Sequence, residues 1–172
     1  RSSRNISRSA ARPRTPCVRT SVAFLEVFQG SHQATLVRTQ GVRGLAALRE
    51  MFLELLPLEQ DGPQRSRVVL SFWDRAAQDP ELWEIHHENI LERRALIRRF
   101  LVEAREDGEL DPAQDIEDAV NRVSAFNAGW QMLAVLVPES ADDLSLRTSI
   151  ESILEALRAD RAGGRSDAAS AA

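Results

Sequence analysis

Residues 79–108 read DPELWEIHHENILERRALIRRFLVEAREDG. This stretch carries its own start and stop. Asp79 can cap a helix with its carboxylate, and Pro80 suits the first helical position, where an N–H would have no partner anyway. Gly108 suits the left-handed residue that closes a helix. In between, Leu82, Trp83, Ile85, His86, Ile90, Leu91, Ile97, Phe100, Leu101 and Ala104 give one apolar face, while Glu88, Glu92, Arg93, Arg94, Arg98 and Arg99 supply charge. So long an amphipathic helix predicts a molecule held together by helix packing.

Working outward, the same logic finds five more helices. Upstream, Val69, Phe72, Trp73 and Ala76 form a stripe over Ser66 to Gln78, after a polar turn at Glu59 to Gln64. Before that, Leu45, Leu48, Phe52, Leu55 and Leu56 keep helical spacing from Val42 until Pro57 stops it. A first helix over Ser21 to Thr39, with Val22, Leu25, Phe28, Leu36 and Val37, is expected to loosen near Gly30. Downstream, Asp111-Pro112 repeats the start signal and opens a helix carrying Ile116, Ala119, Val120, Val123, Phe126, Trp130, Leu133 and Leu136 as far as Pro138. Ser140, with Asp143 three residues on, reads as an acidic capping box for the last helix, which runs to Leu157. The expectation is an all-α bundle of about six helices.

The ends differ in kind from this middle. Residues 1 to 20 hold six arginines, no acid, and Pro13 and Pro16, too little apolar surface to offset the entropy of ordering. They read as a basic disordered arm, 21–160 as the helical domain, and 161–172, rich in Gly, Ser and Ala, as a flexible tail. Since the whole chain is at −4 and the arm contributes +6, the rest carries about −10. Arg4, Arg8, Arg12 and Arg14 could contact nucleic-acid phosphates weakly, although the acidic body would repel them. The chain opens on Arg1 rather than Met, and a trimmed, miscalled or frame-disrupted start is expected.

Composition sets the outer bounds. At 43% hydrophobic, 28% charged and 5% aromatic with no tyrosine, the chain fits a helical protein better than an aromatic-rich β-sandwich. No apolar run approaches the roughly 18 residues of a membrane span, so no membrane partner is expected. The single cysteine, Cys17, cannot make an intramolecular disulfide, and no secretory leader is evident; a cytoplasmic setting follows as the expectation.

Catalytic signatures are missing. There is no Gly-x-Ser-x-Gly turn and no Gly-rich phosphate loop, and the acid pairs Glu106-Asp107 and Asp142-Asp143 sit where helix caps belong. We expect no enzyme, no catalytic residue and no cofactor. Adjacent His86 and His87 point roughly 100° apart on a helix, so they cannot share one ion, and no metal site is expected.

Two constellations remain. Phe72, Trp73, Trp83, Phe126 and Trp130 fall on three helices with His86 and Asn127 nearby, the mixture of apolar wall and polar anchors that lines a small-molecule pocket; any single ring of the set is more often simply core. The last two helices carry more apolar surface than one subunit needs, so Leu133, Leu136, Leu146, Ile150, Ile153 and Leu157 are candidates for a homodimer interface. Gly129, inside an apolar helix, suggests close approach of a ligand or another helix.

From about Ser21 to Leu157 the chain resembles the C-terminal effector-binding and dimerisation domain of TetR-type transcriptional regulators, in particular the BetI-like subgroup. The resemblance rests on the order and spacing of Leu55-Leu56-Pro57-Leu58, the Val68 to Asp79 segment with Phe72-Trp73 and Asp79-Pro80, Arg93-Arg94 with Leu96, Ala104 through Asp107-Gly108-Glu109-Leu110, and the Asp-rich helix start that follows. It implies an all-α dimer built on its last two long helices, a small-molecule effector cavity in each subunit, and operator DNA as partner where a helix-turn-helix is present in the full-length protein. This sequence departs from the subgroup at Ala128-Gly129, where an Asp-Gly pair is usual, and Asn5-Ile6-Ser7-Arg8 is only faintly like the end of a recognition helix, so no DNA-reading residue carries over. Two functions stay open: a regulator whose effector binding and homodimerisation control DNA binding, or a stand-alone helical ligand-binding module.

Overall fold

A computed structural model describes residues 32–58 and 62–158. The basic arm with Arg4, Arg8, Arg12 and Arg14, the start of the first helix and the C-terminal tail lie outside the described residues. Six helices are described: α1, seen over 32–38, α2 (Gly44–Leu55), α3 (Gly62–Ala76), α4 (Pro80–Glu106), α5 (Ile116–Leu136) and α6 (Asp143–Leu157). Among the described residues the only β feature is an isolated bridge between Leu110 and Arg158. The all-α expectation is met.

The long helix is the axis of the fold. Asp79 caps α4 by accepting from the N–H groups of Glu81 (3.0 Å) and Leu82 (3.4 Å), and Gly108 takes φ +71° at the other end. Helices α2, α3 and α5 all pack on α4, while α6 lies against α2 and α5. The apolar stripes meet in one main core, with Leu48, Met51 and Phe52 of α2, Ile97, Phe100 and Leu101 of α4, Val120 and Val123 of α5, and Leu146, Ile150 and Leu154 of α6. Phe72, Ala76 and Leu82 form a smaller cluster at the far end, where α3 turns into α4. Burying each of these large side chains contributes about 1.5–3 kcal/mol, which is what offsets the cost of ordering the chain.

Three helix starts differ from the expectation. Helix α3 begins at Gly62, four residues ahead of Ser66, because Pro63 supports a helix start rather than the expected turn. Asp111-Pro112 opens a turn instead of a helix: Asp111 accepts from the N–H of Ala113 (2.9 Å) through its carboxylate and from Gln114 (2.9 Å) through its carbonyl. Helix α5 starts only at Ile116, capped by Asp115, whose carboxylate accepts from Asp118 N–H (2.8 Å). At α6 the cap is Asp142, accepting from both the N–H (2.9 Å) and the hydroxyl (2.7 Å) of Ser145, while Pro138–Ser140 form a short 3-10 turn.

Candidate ligand site between the third, fourth and fifth helices

Helices α4 and α5 run antiparallel in a register fixed by side-chain pairs. Arg98 binds Glu117 with two hydrogen bonds (2.5 and 2.8 Å), and Arg94 donates to Asn121 (2.8 Å). Four residues back along α4 thus matches four residues on along α5. Continued one more turn and beyond, this register sets the His86 to Ile90 segment level with Ala125 to Gly129, and α3 packs across both.

The aromatic residues gather there in two groups. Phe72, fully buried, and Trp73 lie 5.8 and 6.0 Å from the His86 ring, one edge-on and one tilted. Phe126 meets Phe52 edge-on at 5.2 Å and Trp130 at 6.3 Å, so this second group is continuous with the main core. Trp83 belongs to neither. It is half exposed and stacks flat on His87 at 4.7 Å, because neighbouring positions on a helix point to different sides; the expectation that it lines the pocket gives way to a surface position. His86 and His87 accordingly share no site, and among the described residues no three His, Cys, Asp or Glu side chains gather as a metal site.

Polar groups complete the site: His86 and Asn127, which the sequence singles out, and Gln131, Asn89 and Arg93, which it does not. Gln131 accepts from the buried Ser66 hydroxyl (2.6 Å) and donates to the Leu55 carbonyl (2.7 Å), joining α2, α3 and α5. Asn89 Nδ2 and Asn127 Oδ1 are sealed from solvent and have no hydrogen-bond partner among the described residues. Burial pushes the Arg93 guanidinium down to about 10. Burial, then the charges of Arg93 and His87, hold His86 below the ordinary histidine range and so favour its neutral form. Arg93 also borders a cavity of about 10 Å³, room for one water, together with His32, Thr35, Met51, Leu55 and Leu96. A signal for Asn89 and Arg93 was present: they lie three and seven residues after His86, on the inward stripe that continues through Ile97 and Phe100.

The interface candidates divide. Leu133 and Leu136 are exposed on α5, next to Met132 and Val137. Leu146, Ile150 and Leu157 are fully buried within the chain itself, and Ile153 is half-buried against the same core. Their i, i+4, i+7 spacing marks the face α6 turns toward α2 and α5, which leaves Leu146, Ile150 and Leu157 no surface for a partner and Ile153 only part of its own. The face α6 does expose carries Leu144, Thr148, Ser152 and Ala156.

Comparison with known proteins places this arrangement. The sequence pattern of the BetI-type transcriptional repressor C-terminal domain matches residues 45–162. Among solved structures, a transcriptional regulator from Rhodococcus sp. Rha1 is similar with a TM-score of 0.69 at 20% identity, covering 80% of this chain and 70% of that one, a likeness of fold. No curated protein matches this chain at a significant level.

Proposed function

The chain belongs to the TetR-type family of BetI-like repressor C-terminal domains, and from that premise we propose that it is the effector-binding and homodimerising part of a transcriptional regulator. The ligand enters between α3, α4 and α5, against Phe72, Trp73, His86, Asn127 and Trp130 with Phe126 behind them. The observation that carries this reading is the two-sidedness of α5. One face of that helix brings Asn127, Trp130 and Gln131 to the inner cluster, while the other leaves Ala125, Gly129, Met132, Leu133 and Leu136 exposed. A monomer gains nothing from such an outer face, and this supports an interface there.

A ligand that binds one position of α5 better than another shifts the population of subunit arrangements, and thereby the spacing of two DNA-binding units carried by the full-length protein. No helix of the described residues is long and apolar enough to cross a membrane. The test pairs a small-molecule melting screen with fluorescence anisotropy against DNA from upstream of the gene, at low and physiological salt, with scrambled DNA as control. A melting shift by a compound that also changes sequence-selective DNA binding is the expected result for a regulator. A shift without selective DNA binding assigns this chain the sensing and dimerising part alone. No shift with any compound would sink the sensing role.

A further inference from the structure

The outer face of α4 carries an apolar stripe that the core does not use. Trp83, His87 and Leu91 follow one another at four-residue spacing and are all exposed. Trp83 and Leu91 each keep 51% of their surface in water, and the His87 ring stacks on Trp83 at 4.7 Å. Among the described residues none of the three belongs to either core cluster. Two stacked rings open to solvent offer an aromatic face to whatever packs there.

Charge says what that is. Glu81, Glu84, Glu88 and Glu92 form the adjoining stripe, all exposed, and their carboxylates meet no ion-pair or hydrogen-bond partner among the described residues. This sets them apart in the molecule. Except for Glu139, every other described carboxylate is taken up by an arginine, by the backbone at a helix end or turn, or, at Asp74, by the Gln78 amide. Four unpaired carboxylates beside a ring stack and a leucine suit a segment with several guanidinium groups, which pair with carboxylates and stack on aromatic faces. A nucleic acid is repelled by the same charges, and a second copy laid face to face brings four more of them.

The chain contains such a segment. Residues 1–20 hold six arginines and no acid, and lie outside the described residues. The described part of α1 is placed to deliver them: His32 and Thr35 border Arg93 and Leu96 of α4, so the chain meets α4 beside the Glu92 end of the stripe. From Glu92 back to Glu81 is about 16 Å of helix, and residues 20–31 cover about 18 Å when fully helical and about 40 Å when extended.

We propose that this face of α4 is the docking surface for the chain's own arginine-rich residues 1–20, with guanidinium groups on the glutamate stripe and over the Trp83 and His87 rings. Each exposed pair is weak, and the short tether supplies the effective concentration that lets several act together. The contact is screened as salt rises. Docked there, the arginines are withheld from nucleic-acid phosphates.

Cys17, the single cysteine, lies within the segment, so a nitroxide attached to it in the intact chain reports where the segment goes. The measurement is paramagnetic broadening in the amide and indole N–H spectrum. Signals of residues 81–92 and the Trp83 indole are expected to broaden strongly at low salt and recover at high salt, with Asp143–Leu157 much less affected. Glu84→Gln with Glu88→Gln changes only exposed side chains, and Arg8→Gln with Arg12→Gln and Arg14→Gln leaves the helical body untouched. Both sets are expected to lose most of the broadening with unchanged helical circular dichroism. No broadening in the parent at low salt, or equal broadening in both sets of variants, would overturn the docking. Broadening of an isotope-labelled chain without nitroxide, mixed with an unlabelled chain that carries it, would seat a second copy's residues on this face and overturn the intramolecular arrangement.

Discussion

Gln131 is a single side chain that ties three helices together, and the energetics of that tie can be isolated. Its amide accepts from Ser66 and donates to the Leu55 carbonyl, one of the α2 C-terminal carbonyls that has no partner within its own helix. Gln131→Met keeps the volume but leaves a buried hydroxyl and a buried carbonyl unpaired, so urea denaturation should show a loss of about 1–3 kcal/mol. Adding Ser66→Ala should recover part of it, and the shortfall from additivity measures the bond itself. His86 gives a second residue-scale expectation. Its folded form resists protonation, whereas in the unfolded chain it takes up a proton near the ordinary 6.5. The unfolded state therefore binds more protons below that pH, and stability should fall as pH drops through about 6.5. His86→Gln should flatten that slope below about pH 6.5 in a melting series. It should leave the steeper loss at lower pH, where Glu117, held down by Arg98, and Asp142, held down by the N–H and hydroxyl of Ser145, take up protons.

Helix ends show how far local sequence reaches. The α4 start was legible because Asp79 and Pro80 act within four residues of one another, and so was its stop at Gly108. The same Asp-Pro pair at 111 and 112 failed as a helix signal because a tertiary contact intervenes: the N–H of Asp111 donates to the Leu157 carbonyl (3.3 Å), pinning the segment to the end of α6 and leaving Asp115 to cap α5. The α2 start was illegible for a related reason. Arg43 makes no side-chain cap; instead Glu109 accepts from Leu45 N–H (2.9 Å) and Glu103 from Gly44 N–H (3.3 Å), so carboxylates about sixty residues away serve as the cap. Gly44 makes room for this. Its φ is +60°, and a Cβ there would lie 2.5 Å from a Glu109 oxygen and 3.3 Å from the Ala104 backbone. Glu109→Ala should cost about 1–2 kcal/mol in chemical denaturation, like the loss of an ordinary cap. Gly44→Ala should cost at least as much, since it strains the backbone and displaces the same carboxylate. The site divides in the same way. Phe72, Trp73 and His86 were legible from spacing and type together, whereas Asn89 and Arg93 share the inward spacing but are of polar type, which groups them with the solvent-facing Glu and Arg residues around them.

At the scale of the whole molecule, the outer faces of α5 and α6 pose one question, and Gly129 sharpens it. Within the subunit this glycine has no purpose: it is exposed, helical, and an added Cβ would meet nothing within 4 Å. Alanine there should stabilise an isolated subunit by about 0.5–1 kcal/mol. The small residues Ala125 and Gly129 on α5 run beside Leu133 and Leu136 (67% exposed), and α6 adds Thr148, Ser152 and Ala156 beside Leu144 (76% exposed). Small residues flanked by exposed leucines let a second helix pair approach closely, which suits a two-fold dimer in which each stripe meets its own copy. In such a dimer one substitution occurs twice. Leu136→Glu forces two carboxylates out of water at about 2 kcal/mol each, about 4 kcal/mol together, so the dimer should weaken roughly a thousandfold. Sedimentation velocity should find the parent chain dimeric at micromolar concentration and Leu136→Glu monomeric, with unchanged helical circular dichroism because position 136 contributes no buried side chain to the subunit. Gly129→Ala should separate the two effects, raising the melting temperature of the Leu136→Glu monomer while weakening association of the parent. A parent chain that sediments as a monomer at that concentration would remove the interface, and with it the route by which a ligand at α5 reaches a second subunit.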